Sequence, residues 1–181
     1  MSDVDPNEVG AIKRQVINRN FLSQLDFKFL LKRAPNVNFF LQRVNIPGIN
    51  IHPKLIGNPF TNIPYSGDHI TFQSLNIEFK VDEDFANYFE IHNWLYGLGF
   101  PENFQQYEEL KHKPVYIGES IRSDISLMIL SSAKGPNLEI IFYDCIPTSL
   151  SDLVFSTTPA DLDYLEALAT FSYIHYKIER I

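Results

Sequence analysis

The residues best able to do chemistry are the histidines and the acids beside them. The five histidines are His52, His69, His92, His112 and His175. His69 follows Asp68, and His92 lies two residues from Glu90, so either pair could exchange a proton. No H-x-x-x-H spacing and no cysteine pair accompanies them, so the sequence predicts no zinc site. Surface or packing roles are favoured for all five.

Other catalytic patterns are incomplete. The run GLG at 97–99 continues as FPE, so the dinucleotide-binding fingerprint lacks its third glycine, and the run follows a predicted helix. Cys145 ends an apolar strand, which favours a buried and unreactive thiol. There is no G-x-S-x-G run, and the loop serines after Cys145 have no neighbouring histidine. We therefore expect no enzyme, no cofactor and no metal ion.

Composition limits the class of protein. The chain has 181 residues, 45% of them hydrophobic, with a net charge of −7 and one cysteine. This length fits one domain whose core needs no disulfides. The acidic balance argues against a protein that grips nucleic-acid phosphates. No apolar run approaches the roughly 20 residues of a membrane helix, and the N-terminus lacks a signal peptide, so we expect a soluble chain.

Charge is distributed unevenly along the chain. Residues 1–50 carry seven Lys and Arg against four acids, residues 82–110 carry seven acids and no Lys or Arg, and residues 144–166 carry five acids and no Lys or Arg. Complementary ends of this kind could join copies head to tail, whereas solvated faces would produce the same pattern.

The first half of the chain predicts strands and a long connection. Residues 1–20 lack a strong period and are interpreted as an N-terminal arm. Alternating apolar residues predict a strand at Leu25–Lys32, and Val37–Val44 is interpreted as its hairpin partner. Prolines recur through residues 50–69, which excludes a central strand and predicts a long loop that runs along an edge or reaches a neighbour.

The middle of the chain predicts one strand and one helix. Ile70–Val81 is predicted as a strand with a bend between Phe72 and Leu75. A helix is predicted at about 83–97, with Asp82 as its cap. Its sheet-facing stripe would consist of Phe85, Tyr88, Phe89, His92, Leu95 and Tyr96. Residues 99–124 are predicted as a second long loop.

The last third predicts more strands. A hairpin is expected at 125–131 and 138–145, ending at the prolyl turn 146–148, and the final strand is expected from Tyr164 to Ile178. The helix-favouring run LEALA competes with this last interpretation. Together these elements predict a mainly β fold, an antiparallel sandwich or barrel with one packed helix, formed by a single domain at 21–181.

Three segments carry a family resemblance. They are FFLQRVNIPGINI at 39–51, FKVDEDFANYFEIHNWLYGL at 79–98, and DCIPTSLSDLVFSTTPADLDYLEALATFSYIHYKI at 144–178. Their order and character resemble the tail tube proteins of contractile-tailed bacteriophages, which are related to the type VI secretion tube proteins. The resemblance covers about residues 22–181.

The resemblance implies a structural protein of the virion tail. Such proteins form hexameric rings that stack into a hollow tube through which DNA passes without specific binding. The implied partners are further copies of the chain, the sheath, the tape-measure protein, and the baseplate and terminator proteins. Assembly would take place in the host cytoplasm. The alternatives are a tube-end component (an initiator or terminator), a type VI-like tube protein, or a ligand-binding β-barrel.

Charge suggests where rings would meet. The candidate inter-ring contacts are Lys13, Arg14, Arg19, Glu102, Glu108, Glu109, Asp161 and Asp163. An acidic lumen would repel the phosphates of passing DNA, so we expect the acidic residues behind the net charge of −7 to line the lumen.

Overall fold

The computed structural model describes residues 21–112, 121–157 and 164–181. Within these ranges the helices are α1 (Pro35–Phe40), α2 (Ala86–Gly99) and α3 (Gln105–His112). The strands are β1 (Phe27–Leu31), β2 (Leu41–Val44), β3 (Ile49–Ile51), β4 (Lys54–Gly57), β5 (Asn62–Tyr65), β6 (Ile70–Phe72), β7 (Leu75–Lys80), β8 (Ser123–Leu130), β9 (Pro136–Leu150), β10 (Glu166–Ser172) and β11 (His175–Arg180). The predicted mainly β architecture with a packed helix is confirmed.

Two antiparallel sheets share the long strand β9. One sheet has the order β1-β8-β9-β11, and the other has the order β9-β10-β7-β2. The predicted end of this strand at 146–148 is wrong, because β9 continues to Leu150. Pro147 lies opposite Phe171, where the β9–β10 register shifts, so the missing proline N–H falls at an irregular point of the ladder.

Aromatic and aliphatic side chains fill the space between the sheets. The largest buried ones are Trp94, Phe79, Phe142, Phe171, Leu31, Leu75, Ile77, Ile91, Ile125 and Ile140. Along β7 and β8 they alternate with residues that are mostly partly buried, as expected for strands with one face in the core. The core therefore accounts for most of the strong period-two signal in the sequence.

The predicted hairpin of Leu25–Lys32 with Val37–Val44 is wrong. β1 pairs with β8 and β2 pairs with β7, while residues 35–40 form α1. Proline in the first turn favours this helix because its missing N–H has no intrahelical partner there. The side chain of Asn38 accepts a hydrogen bond from the Leu31 amide at 2.8 Å and donates to the Leu31 carbonyl at 3.1 Å, so α1 packs back onto the end of β1.

Two predicted long strands are each divided in two. The bend expected between Phe72 and Leu75 separates β6 from β7, which belong to different sheets. The final strand is confirmed but is interrupted at Tyr173 and Ile174, so β10 and β11 both run along β9. The loop predicted at 99–124 contains α3, and the loop predicted at 50–69 contains β4 and β5.

The start of α2 differs from the prediction. Phe85, with φ of 59°, occupies the N-cap position in place of Asp82. The Asp82 carboxylate still accepts a hydrogen bond from the Asn87 amide at 3.3 Å. The buried Asn87 side chain donates to the Lys80 carbonyl at 2.7 Å, which ties the helix to the end of β7.

The predicted core face of α2 is also wrong. The buried residues are Asn87, Ile91, Trp94 and Gly97, which lie at helical spacing on another face. Gly97 allows close approach of α3, because a Cβ at this position would lie 3.1 Å from the Leu110 Cβ. Of the predicted stripe, Tyr88 and Leu95 pack only partly against the core, whereas Phe89, His92 and Tyr96 are exposed. The His92 ring stacks between the rings of Tyr88 and Tyr96 at centroid distances of 6.5 and 5.5 Å.

The buried thiol of Cys145 is expected to lower the stability of the folded chain at alkaline pH. Burial, reinforced by the charges of Asp124 and Asp144, raises the pKa of this thiol from 9.0 to about 12. Between pH 9 and 10 the unfolded chain therefore releases a proton that the folded chain retains, so the free energy of unfolding falls by about 1 kcal/mol. Urea titrations under reducing conditions should show this extra decline in the natural chain and not in Cys145→Ala. Equal declines in both chains would contradict the assignment.

Candidate assembly surfaces

An arm of residues 49–72 projects from the two sheets. β3 pairs with β6 at its base, and β4 pairs with β5 nearer its tip. Asn58 organises the turn, because its side-chain oxygen accepts hydrogen bonds from the amides of Phe60 and Thr61 at 2.8 and 2.9 Å. The chain thus builds a two-stranded ribbon where the prolines suggested an irregular loop.

Apolar side chains of the arm lie in solvent. The exposed ones are Ile49, Ile51, Leu55, Ile56, Phe60, Ile63, Tyr65 and Ile70, and Phe60 is 95% exposed. An isolated two-stranded ribbon is at best marginally stable in water, and a continuous exposed apolar patch marks an interaction site. The arm is therefore suited to burial against another protein surface.

Two tyrosines anchor the base of the arm to the sheets. Phe72 contacts the rings of Tyr173 and Tyr176 at 5.9 and 5.6 Å. Their hydroxyls donate to the Gln73 carbonyl at 2.8 Å and to the Pro47 carbonyl at 3.1 Å. Burial, followed by the neighbouring Tyr176, raises the pKa of Tyr173 to about 12, so this phenol keeps its donated proton at neutral pH.

Within the described ranges, the sheet β1-β8-β9-β11 ends in two strands that each pair on one side only. β1 pairs with β8, and β11 pairs with β9. Ile178 of β11 lies opposite buried Ile140 and is nevertheless 56% exposed, because no strand of the described residues lies beyond β11. Unpaired edges with apolar side chains are templates for pairing with another chain.

The outer face of this sheet carries both signs of charge. Strand alternation places Lys28, Asp124, Glu139, Lys177 and Glu179 on the side away from the core. On the same face the Tyr143 ring stacks on His175 at 4.8 Å and lies 5.5 Å from the Lys177 ammonium, while Ser126 donates a hydrogen bond to Glu139. The net charge of −7 is thus not concentrated on this face.

Another exposed surface forms where α2 meets α3. Phe100 and Phe104 stack at 5.1 Å, and Phe104 is 76% exposed. The Tyr96 hydroxyl donates to Glu102 at 3.2 Å, and the charge of Glu102 raises the pKa of Tyr96. With Glu108 and Glu109 of α3, which are also exposed, these residues make up what we call the aromatic–acidic surface.

A cavity of about 430 Å³ lies among α1, α2 and α3, next to this surface. The Arg33 guanidinium lies 5.1 Å from the centre of the Trp94 ring and donates to the Leu110 carbonyl at 3.2 Å. Burial raises the pKa of Glu90, although hydrogen bonds from Asn36 oppose the shift. These contacts hold α3 against α2.

The predicted contact residues separate into two groups. Glu102, Glu108 and Glu109 are all exposed; Glu102 contacts the Tyr96 hydroxyl, and Glu109 also lines the cavity between the helices. The remaining predicted contacts, Lys13, Arg14, Arg19, Asp161 and Asp163, lie outside the described residues. Residues 50–69 were predicted to run along an edge or to reach a neighbour, but the two-stranded ribbon and its exposed apolar side chains were not predicted, although alternating isoleucines were a usable signal.

The chemical candidates are structurally ordinary. The His69 Nδ1 atom lies 2.9 Å from the Asp68 Oδ1 atom, and both side chains are almost fully exposed. The described residues contain no cluster of three or more histidines, cysteines and acids that could hold a metal ion. In the same ranges, none of the helices combines the length and the apolar character needed to cross a membrane.

Comparison with known proteins identifies relatives by structure alone. No protein-family model and no curated protein sequence matches the chain. A chain of the anti-feeding prophage baseplate aligns with a TM-score of 0.58 at 12% identity, covering 90% of this chain and 97% of that one. A chain of the anti-feeding prophage tube-terminating cap aligns with a TM-score of 0.57 at 12% identity, covering 93% and 97%.

A third match comes from an extracellular contractile injection system. A chain of its PVC sheath–tube complex aligns with a TM-score of 0.53 at 10% identity, covering 99% of this chain and all of that one. At these identities the likeness concerns the fold. The protein therefore has the fold of chains found in a baseplate, a tube-terminating cap and a sheath–tube complex, and this fold is the one that the resemblance to tail tube proteins implies.

Proposed function

We propose that the protein is a structural subunit of a contractile injection particle and assembles into rings that stack as a tube. The observation that carries this proposal is the apolar arm 49–72, which exposes side chains that a lone chain cannot bury. The edge strands β1 and β11 of the sheet β1-β8-β9-β11 support the proposal. The fold shared with chains of a sheath–tube complex supports it further.

The strand order supports ring closure. Four antiparallel strands alternate in direction, so β11 of one copy would run antiparallel to β1 of the next. The two edges have similar lengths, six and five residues. Repetition of this head-to-tail pairing around a ring would cover both edges of the sheet β1-β8-β9-β11 and form a continuous barrel. We propose six copies, by analogy with the tail tube proteins that the sequence resembles.

The same pairing would turn the outer face of the sheet β1-β8-β9-β11 toward the lumen. That face carries three acids and two lysines, so the channel would be mildly acidic, in place of the strongly acidic lumen expected from the net charge. Nearly balanced charge without a basic cluster suits passage of DNA without retention. We propose a purely structural role without enzymatic activity, with sheath and tape-measure proteins as outer and inner partners.

A component at the end of the tube is the second candidate. Two of the structural matches belong to a baseplate and a tube-terminating cap, and both have higher TM-scores than the sheath–tube match. An interior ligand site is disfavoured because Phe79, Phe142 and Phe171 occupy the space between the sheets. An end component would form single rings and would not elongate.

Electron microscopy of the purified full chain tests both candidates. Negative staining should show rings with a central hole and, at high protein concentration, stacked rings or tubes. Rings that never stack would support the end component over the main tube. A monodisperse monomer by light scattering at the same concentrations would refute the proposed function.

A further inference from the structure

The aromatic–acidic surface exposes aromatic rings and carboxylates side by side. Its rings are exposed, and Glu102 lies beside the Tyr96 hydroxyl at the rim of the stacked Phe100 and Phe104 pair. Residues 82–110 contribute seven acids and no Lys or Arg, and Lys111 is the next cation along the chain. A surface of this kind favours arginine, because a guanidinium stacks on aromatic rings and binds carboxylates through two N–H groups.

The chain itself contains a segment of the opposite character. Residues 9–20 (VGAIKRQVINRN) hold three cations, four apolar aliphatic side chains of Val and Ile, and no acid. The described chain begins directly after them at Phe21, which is 98% exposed, and Leu25 is also 89% exposed. Twelve residues can span up to about 40 Å when extended. The segment is therefore long enough to reach a neighbouring subunit.

We propose that the aromatic–acidic surface of one copy binds the basic segment 9–20 of a neighbouring copy. Arg14 and Arg19 supply guanidinium groups for the rings and for Glu102, and Lys13 adds charge opposite Glu108 and Glu109. The aliphatic side chains of the segment cover Phe104. The inference rests on the proposed self-assembly and adds a specific contact to it, distinct from strand pairing and from the arm 49–72.

Two full-length charge variants test this contact. The segment variant is Lys13→Glu with Arg14→Glu and Arg19→Glu, and the surface variant is Glu102→Lys with Glu108→Lys and Glu109→Lys. Each variant alone places like charges opposite each other, so we expect the concentration at which it assembles to rise at least tenfold. An equimolar mixture pairs each altered segment with an altered surface, and natural segments with natural surfaces, so it should recover assembly.

A third variant carries both sets of changes in one chain and should also recover assembly. Phe104→Leu removes the ring and keeps an apolar side chain, so it should weaken assembly of the otherwise natural chain by several-fold. Because the contact is between exposed charges, raising the salt concentration from 0.05 to 0.5 M should weaken assembly of the natural chain. The concentrations at which the natural chain and the charge variants assemble should therefore differ less at high salt. Circular dichroism checks that every variant is folded.

The outcomes separate this inference from the proposed function. Charge variants that assemble like the natural chain would overturn the inference and leave the proposed function standing. Recovery in the third variant but not in the mixture would mean that the segment binds its own chain, which also overturns the inference. Failure of the natural chain itself to assemble would overturn both.

Discussion

Replacement of Trp94 by alanine should lower the free energy of unfolding by about 3–5 kcal/mol, the largest effect expected from a single substitution in this chain. Trp94 is 1% exposed and packs against Phe171 at 6.0 Å. Its indole N–H donates to the Ile121 carbonyl at 2.9 Å, and Arg33 lies over its ring. Alanine would leave a cavity, an unpaired carbonyl and a guanidinium without its aromatic contact.

The matched variant Trp94→Phe retains most of the ring area and removes the indole donor. This substitution should lower the free energy of unfolding by about 1–2 kcal/mol, the size of one lost buried hydrogen bond. Because Trp94 is the only tryptophan, unfolding should be followed by circular dichroism in urea. A loss below 1 kcal/mol in the alanine variant would show that α2 does not depend on this contact.

Removal of the apolar side chains at the tip of the arm should abolish self-assembly without unfolding the chain. The triple variant Ile56→Ser, Phe60→Ser and Ile63→Ser changes residues that lie beyond the anchored base of the arm. Their burial in an assembly would contribute roughly 1.5–3 kcal/mol for each side chain, so the summed loss corresponds to several orders of magnitude in association. Light scattering and electron microscopy should therefore detect only unassembled chain.

The control retains apolar character at the same positions, as Ile56→Val, Phe60→Leu and Ile63→Val. It should assemble at concentrations within about tenfold of the natural chain. Thermal unfolding of both triple variants should match that of the natural chain, because the altered residues contact little outside the arm. Assembly of the serine variant at natural concentrations would refute a role for the arm in the interface.

Alternating burial explains what the sequence could predict. β7, β8 and the first half of β9 each bury every second residue, so their period-two pattern predicts both the strand and its core face. Pairing partners are not encoded in this pattern. Leu25–Lys32 and Val37–Val44 are close in sequence, yet their strands pair in different sheets, because partner choice depends on contacts between distant residues.

The aromatic stripe of α2 shows why the helix face was missed. Hydrophobic scoring favours Tyr88, Phe89 and Tyr96, whereas the buried face includes Asn87 and Gly97, whose roles depend on Lys80 and Leu110. Polar and small residues become core residues only when a distant partner satisfies or contacts them. The contact role of the α3 acids stays a prediction, and the ribbon of the arm was missed because its prolines indicated an irregular loop.

The sharing of β9 between both sheets has a mechanical consequence. This strand runs for 15 residues, about 50 Å of continuous backbone, and carries hydrogen-bonded neighbours in both sheets. A load applied to one sheet is therefore transmitted to the other through covalent bonds. Sliding of the sheets past each other would require rupture of whole ladders at once, so the chain should resist shear between its two sheets.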